Sequence, residues 1–426
     1  MKAPNIAGVR RILVNASALS AAEGVGQLAN FVFVISFARA FGATQMACYS
    51  VAMATGAIGA LFMTLGTQAL LVREFSRDPT RVSEWLGVLL PVQGLLAVLA
   101  WLVATALTVL LVGDLRAITL ALAVCGYQVV LRLAALLNTP LVAHERMVQT
   151  SAANVGYRLF TLVLGLGAIR FGAGAGLVSW TFVIGAVIYL AVVWRQNLRS
   201  FGPPRFRWAP REAVGLFRLS APFFGIAAFT VIYARGAVIM LGAIATAHAV
   251  GLYAAADRLM VAVALVPTML GSAVYPALTR VAARSRAEVR ALCGRSVLMM
   301  LSATLPLVIV IALFANRLIA VLFGPPYLAA APTLQILSWT LPVVGVQSLL
   351  GSQLVAVNEQ HALARARLSG LTLFVLLSFL LVWKFSFPGA AFAVLISDTA
   401  LLVCYLTILL RVKAAPTFGT TDSQAS

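Results

Sequence analysis

The stretch LSAPFFGIAAFTVIYARGAVIMLGAIATAHAVGLYAAADRLMVAVALVPTMLGSAVYPALTR, residues 219–280, decides the fold. Two long apolar runs flank a short turn near Thr246, which predicts a helical hairpin that crosses a bilayer twice. Three charges lie inside it: Arg235 on the first helix, Asp257 and Arg258 on the second. A charge at membrane depth costs roughly 2.5–3.5 kcal/mol on insertion scales, so each one needs a partner or a function. Arg235 precedes Thr246 by 11 residues and Asp257 follows it by 11. At 1.5 Å per residue both sit about 16 Å from the turn, and an Arg235–Asp257 pair is expected. Adjacent helical residues point about 100° apart, which would leave Arg258 free to face elsewhere.

Outward from this hairpin the same texture continues. Of 426 residues 62% are hydrophobic and 10% charged, a composition that excludes a soluble globular domain and predicts an all-α polytopic membrane protein. Twelve spans are expected, at 12–38, 46–71, 85–112, 116–138, 147–169, 175–194, 213–242, 248–278, 294–323, 329–357, 366–384 and 388–410. The net charge of +19 would suit a nucleic-acid binder if it were clustered, but the basic residues fall between the apolar runs. With the N-terminus in the cytoplasm, 21 of the 31 Lys and Arg lie in inner segments and five at outer ends, so both termini are read as cytoplasmic. The first apolar run, interrupted by Asn15, Ser17 and Glu23, reads as a retained helix rather than a cleaved signal. Cys48, Cys125, Cys293 and Cys404 are scattered singly and read as small hydrophobes. His144, His248 and His361 are far apart, and no metal site or cofactor is expected.

The longest loop, rich in Arg and Pro, divides the spans six and six. The expected organisation is an N-terminal six-helix bundle over 1–194, a basic cytoplasmic linker over 195–212, a C-terminal six-helix bundle over 213–413 and a flexible tail over 414–426. An even number of spans per half predicts a parallel repeat around a central cavity. Gly24, Gly26, Pro222, Pro267 and Pro276 interrupt spans 1, 7 and 8, where a transporter would bend.

Span 1 carries Ser20, Glu23, Gln27 and Asn30 at steps of 3, 4 and 3, one helical stripe, which suits the wall of a wet cavity. Arg132 and Arg158, on spans 4 and 5, come to similar depth about 18–21 Å from the turn at His144. Arg218 lies near the inner end of span 7 and could snorkel to the headgroups. Asp398 stands alone in span 12. The substrate-binding candidates are therefore Arg258, Arg235, Arg132, Arg158, Arg218, Gln27 and Asn30, and the ion-coupling candidates are Glu23, Asp257 and Asp398. Five intramembrane arginines against three carboxylates leave a cationic surplus. Arg forks match phosphate oxygens bidentately, so the surplus suits an anionic ligand. No catalytic constellation and no nucleotide loop occurs, since the glycines at 24, 26 and 172–176 lack a strand–turn–helix setting.

Several segments carry a resemblance. LSAPFFG, ARGAVIMLG and VGLYAAADRL resemble the start of the second half of polysaccharide flippases, within the multidrug/oligosaccharidyl-lipid/polysaccharide exporter superfamily. ARAFGATQMACYSVA, LGTQALLVREFSR and LFGPPYLAAAPTLQILSW resemble the same family elsewhere, so the likeness covers nearly the whole chain. It implies a bacterial inner-membrane flippase that moves undecaprenyl-diphosphate-linked oligosaccharide outward by alternating access, for O-antigen, capsule or exopolysaccharide assembly. The implied partners are the lipid-linked anionic oligosaccharide, membrane lipids, and the polymerase and chain-length machinery of that pathway. A cation-coupled exporter of drugs or metabolites is the alternative, and a membrane polymerase or ligase is disfavoured by the short outer loops.

Overall fold

A computed structural model describes the backbone of residues 6–144, 147–271, 274, 286–356 and 359–414, with side chains on the first helix from Gly24 onward. Ten helical stretches are long and apolar enough to cross a membrane. Two of them are too long for one crossing: Ile6–Thr64 would extend about 88 Å and Gln360–Ala414 about 82 Å, against a hydrocarbon core of about 30 Å. Each is folded back by one residue of positive φ, Gly42 (76°) and Ser386 (55°). The rings of Phe37 and Tyr49 lie 5.3 Å apart, where a straight helix would separate residues 12 apart by about 18 Å. Past the second bend, a Cβ on Gly389 would strike the Leu381 carbonyl, so those two arms also pack closely. Twelve spans result, as the hydropathy predicts.

We number them α1 (6–41), α2 (43–75), α3 (Arg81–Val112), α4 (Ile118–Ala143), α5 (Met147–Arg170), α6 (Ala175–Phe201), α7 (Pro210–Ile244), α8 (Ala247–Gly271), α9 (Arg286–Leu322), α10 (Pro325–Val355), α11 (360–385) and α12 (387–414). The turns after α1, α3, α5 and α9 contain Gly42, Gly113, Gly172 and Gly324, all with positive φ, a conformation that costs glycine nothing. We call this the tight-turn face. The opposite, basic face holds the 76–80 turn, the 202–209 linker and most of the arginines.

The apolar core is distributed unevenly between the faces. One large cluster gathers Phe33, Phe37, Tyr49, Val178, Leu241, Tyr253, Phe323, Tyr327 and Phe374, and so joins both halves near the tight-turn face. Toward the basic face the cores are separate: Leu71, Leu86, Leu137 and Val193 in the first half, Cys293, Met300, Leu354 and Tyr405 in the second. Polar contacts reinforce the joined end. The Arg39 guanidinium donates to the Leu322 carbonyl at 2.8 Å and also to that of Val321, the last two residues of α9. Tyr327 donates its hydroxyl to the Ala38 carbonyl at 3.2 Å. Gly251 backs onto Ala43, whose carbonyl a Cβ would strike.

The helix α7 belongs to both halves. Its first turns (Ala213, Leu216, Phe217) pack into the first half's basic-face core, while Tyr233 meets Phe374 of α11 at 5.1 Å. Between these regions lies Pro222, which removes a helix hydrogen bond. The facing segment of α2 is broken as well, at Leu65 (φ 45°) and Gly66 (φ 76°). Ser220 donates to the Leu65 carbonyl at 2.7 Å, and a Cβ on Gly66 would lie 2.5 Å from the Phe224 nitrogen. The two irregularities are thus pinned to each other. Pro276 lies outside the described residues.

Candidate functional site

Depth alone places Gln27, Asn30, Arg158, Arg235 and Arg258 near mid-membrane, and the helix packing brings all five to one cavity of about 210 Å³. It is lined by α1, α2, α4, α5, α6, α7 and α8, and so lies between the halves. The Arg158 side chain lies against Gly26, in the space a Cβ there would take. Arg258 is 7% exposed and holds its guanidinium carbon 5.8 Å from the centre of the Tyr49 ring, within cation–π range. Neither Arg235 nor Arg258 forms a hydrogen bond or an ion pair with a described residue. The ion pairs among described residues, such as Arg73–Glu74 at 2.9 Å and Arg81–Asp78 at 3.1 Å, lie at the basic face.

Aromatic rings complete the cavity. Phe182 meets Phe33 edge-on at 4.4 Å and Tyr127 at 5.2 Å, and Tyr157 stacks on Tyr189 at 4.6 Å. Sequence reasoning missed Phe33, Tyr127, Tyr157 and Phe182 as cavity residues. A phenylalanine in a span looks like any lipid-facing residue, whereas the two mid-span tyrosines did carry a signal in their hydroxyls.

Asp257 and Arg258 do face different ways. Asp257 lines a second cavity, of about 330 Å³, within the C-terminal half, together with Tyr233, Tyr253, Pro267, Thr268 and Asp398. Asp398 is 3% exposed and accepts a 2.6 Å hydrogen bond from the Tyr233 hydroxyl, while the Gln347 amide donates to its main-chain carbonyl. Asp257 and Asp398 therefore share a wall, an association the sequence did not reveal. The expected Arg235–Asp257 pair is not made: no ion pair within 4.0 Å joins them, and they line different cavities that meet at Val261. Equal depth did not fix their direction around the helix axes.

Two further arginines stand apart from the central cavity. Arg132 lines a separate one of about 340 Å³ with Thr64, Gly66, Gln68 and Phe223, beside the pinned break in α2 and α7. Its neighbour Gln128 faces α2 and donates to the Met53 carbonyl at 3.0 Å. Arg218 is exposed on α7 and lines none of these cavities. The Glu23 side chain lies outside the described residues. Among the described residues no cluster of three or more His, Cys, Asp or Glu could hold a metal ion, and the four cysteines are free.

Residues 12–282 match the sequence model of the family described as polysaccharide biosynthesis protein. The chain belongs to that family. No curated protein matches it in sequence. Among solved structures, this family member superposes on lipid II flippase MurJ in an inward closed conformation with a TM-score of 0.77 at 13% identity, over 92% of this chain and 87% of that one. An inward-facing multidrug resistance MATE family transporter of the MOP superfamily gives 0.74 at 14%, over 93% and 96%. A point mutant of the Vibrio cholerae MATE transporter VcmN gives 0.62 at 15%, over 94% and 97%. At such identities the likeness is one of fold. It agrees with two repeated helical bundles.

Proposed function

We propose that this member of the polysaccharide biosynthesis family is a flippase for undecaprenyl-diphosphate-linked oligosaccharide, working by alternating access. One observation carries the reading: Arg235 and Arg258 enter a single cavity between the halves, and among the described residues no carboxylate is in ion-pair range of either. A desolvated guanidinium is costly when unmatched, and a diphosphate offers the forked acceptors that would match it. Gln27, Asn30 and Arg158 would complete the headgroup site, with Arg132 and Arg218 acting on the path toward the basic face. The basic face would be cytoplasmic, in a bacterial inner membrane, with both termini on that side. The two bundles (1–194 and 213–413), the 195–212 linker and the 414–426 tail would be its working parts. Polymerase and chain-length machinery of O-antigen, capsule or exopolysaccharide assembly would receive the product.

Lipid extracts from a deletion strain test this directly. Accumulated cytoplasmic lipid-linked repeat units and loss of surface polymer are expected; unchanged lipid pools with intact polymer would sink the proposal. A second reading, a cation-coupled exporter of drugs or metabolites, draws support from Asp257 and Asp398 lining one cavity. Uptake of organic cations by proteoliposomes under an imposed ion gradient, without transfer of lipid-linked glycan, would favour it instead.

A further inference from the structure

The chain between α6 and α7 is not a slack connection. Pro91 in α3 has no N–H, so the carbonyl of Gly87, four residues earlier, lacks its helical donor. The linker fills the gap: the Arg207 N–H donates to the Gly87 carbonyl at 3.2 Å, and the Arg205 N–H to that of Ser83 at 3.0 Å. Ser83 in turn donates its hydroxyl to the Pro203 carbonyl at 2.7 Å. Only a glycine at 87 permits this, because a Cβ there would collide with the Arg205 carbonyl. Residues 202–209 are thus strapped along the first turns of α3.

The strap displays a particular chemistry. Arg205, Phe206, Arg207 and Trp208 alternate charge and aromatic ring along the chain; the Arg207 guanidinium pairs with Glu212, and Phe206 and Trp208 are each 62% exposed. Phe206 stacks on Trp194 at 6.2 Å, and Arg195, Arg199 and Arg211 are exposed nearby. Leu198 and Val214, the first exposed apolar residues on either side, lie four residues from Gly202 and Pro210, about 6 Å along their helices. That spacing sets the strap at the level of the headgroups. Rings at this level have an apolar body and a polar surround, and arginines there attract anionic lipid.

We propose that this strap is an interfacial site selective for anionic phospholipid headgroups. The site is independent of the cargo in the central cavity. The full-length protein is reconstituted in vesicles of phosphatidylcholine or phosphatidylglycerol brominated high on the acyl chain. The quenching due to Trp208 is the difference between wild type and Trp208→Phe. It should be stronger in phosphatidylglycerol, and Arg205→Gln should reduce that preference about fivefold, the effect of one surface charge. Gly87→Val, which dislodges the strap, should abolish it. Equal quenching in both lipids would overturn selectivity. Quenching in neither would place the strap in water, as a surface for an acidic protein, and overturn the proposal outright.

Discussion

Removing the Arg39 side chain should unfasten the tight-turn face. That guanidinium donates to the Val321 and Leu322 carbonyls, the exposed negative end of α9, and so joins the first half to the second. Hydrogen bonds to a charged group contribute about 1.5–3 kcal/mol each in protected surroundings. Arg39 is exposed, so we take about 2 kcal/mol for the pair, with the helix-end dipole included. If the protein alternates access, Arg39→Ala should raise the ratio of molecules open at the tight-turn face to closed ones about thirtyfold. Arg39→Lys, a single point donor, should fall between. Spin labels at Phe171 and Trp383, 92% and 79% exposed, report the distance across this face. A second pair at Val214 and Leu368 reports the basic face, which should close as the other opens. Identical distance distributions for wild type and Arg39→Ala would show that the clasp does not hold the closed state.

Other substitutions test the site and the backbone. Arg258→Ala should leave abundance near wild type yet lose transport, since the side chain has no ion-pair partner to strand among the described residues; normal transport would remove it from the proposed headgroup site. Arg235→Gln and Asp257→Asn, charges that attract each other without forming an ion pair, should show a coupling energy below about 3 kcal/mol in thermal stability, and a larger one would restore the pair. Gly66→Ala should cost about 2 kcal/mol or more, because φ is 76° and the Phe224 backbone is in the way, whereas Ser386→Gly should gain a few tenths to about 1 kcal/mol by easing a positive φ. Both are read from melting in detergent. The Asp78 carboxylate is held below its ordinary range by hydrogen bonds from the Thr80 hydroxyl (2.6 Å) and N–H, with Arg81 adding to them. A depressed carboxylate stabilises above its unfolded pKa, so the 76–80 turn should loosen as pH falls below that range, seen as faster amide exchange there. An unchanged rate would show the turn is held otherwise.

Hydropathy sufficed for the twelve spans and the two halves, because a bilayer leaves few alternatives to helices of fixed length. Arg158, Arg235 and Arg258, singled out as charges within spans, line one cavity. Direction about each helix axis was harder. Arg132 and Arg158, expected at one depth, face different cavities, and Arg235 and Asp257 do likewise, because rotation is set by tertiary packing. Asp257 and Arg258 were separable only because neighbours on one helix must diverge. The break at Leu65–Gly66 left little trace, since one glycine in an apolar run is common in membrane helices. Ser386 left none, being a serine where glycine is the usual choice. Arg39 counted only as one more charge at an outer end; its acceptors are main-chain carbonyls 282 and 283 residues away, which no side-chain pattern encodes.

The pinned crossing of α2 and α7 also sets a lever. From Pro222 the helix α7 runs about 33 Å to its tight-turn end at Ile244, but only about 18 Å back to Pro210. A rocking motion pivoting there would sweep the far end through nearly twice the arc of the near end. The aperture toward the tight-turn face should therefore be the wider of the two for the same rotation, which in the proposed flippase would favour generous release and narrow admission. Equal displacements of the two spin-label pairs would put the fulcrum elsewhere.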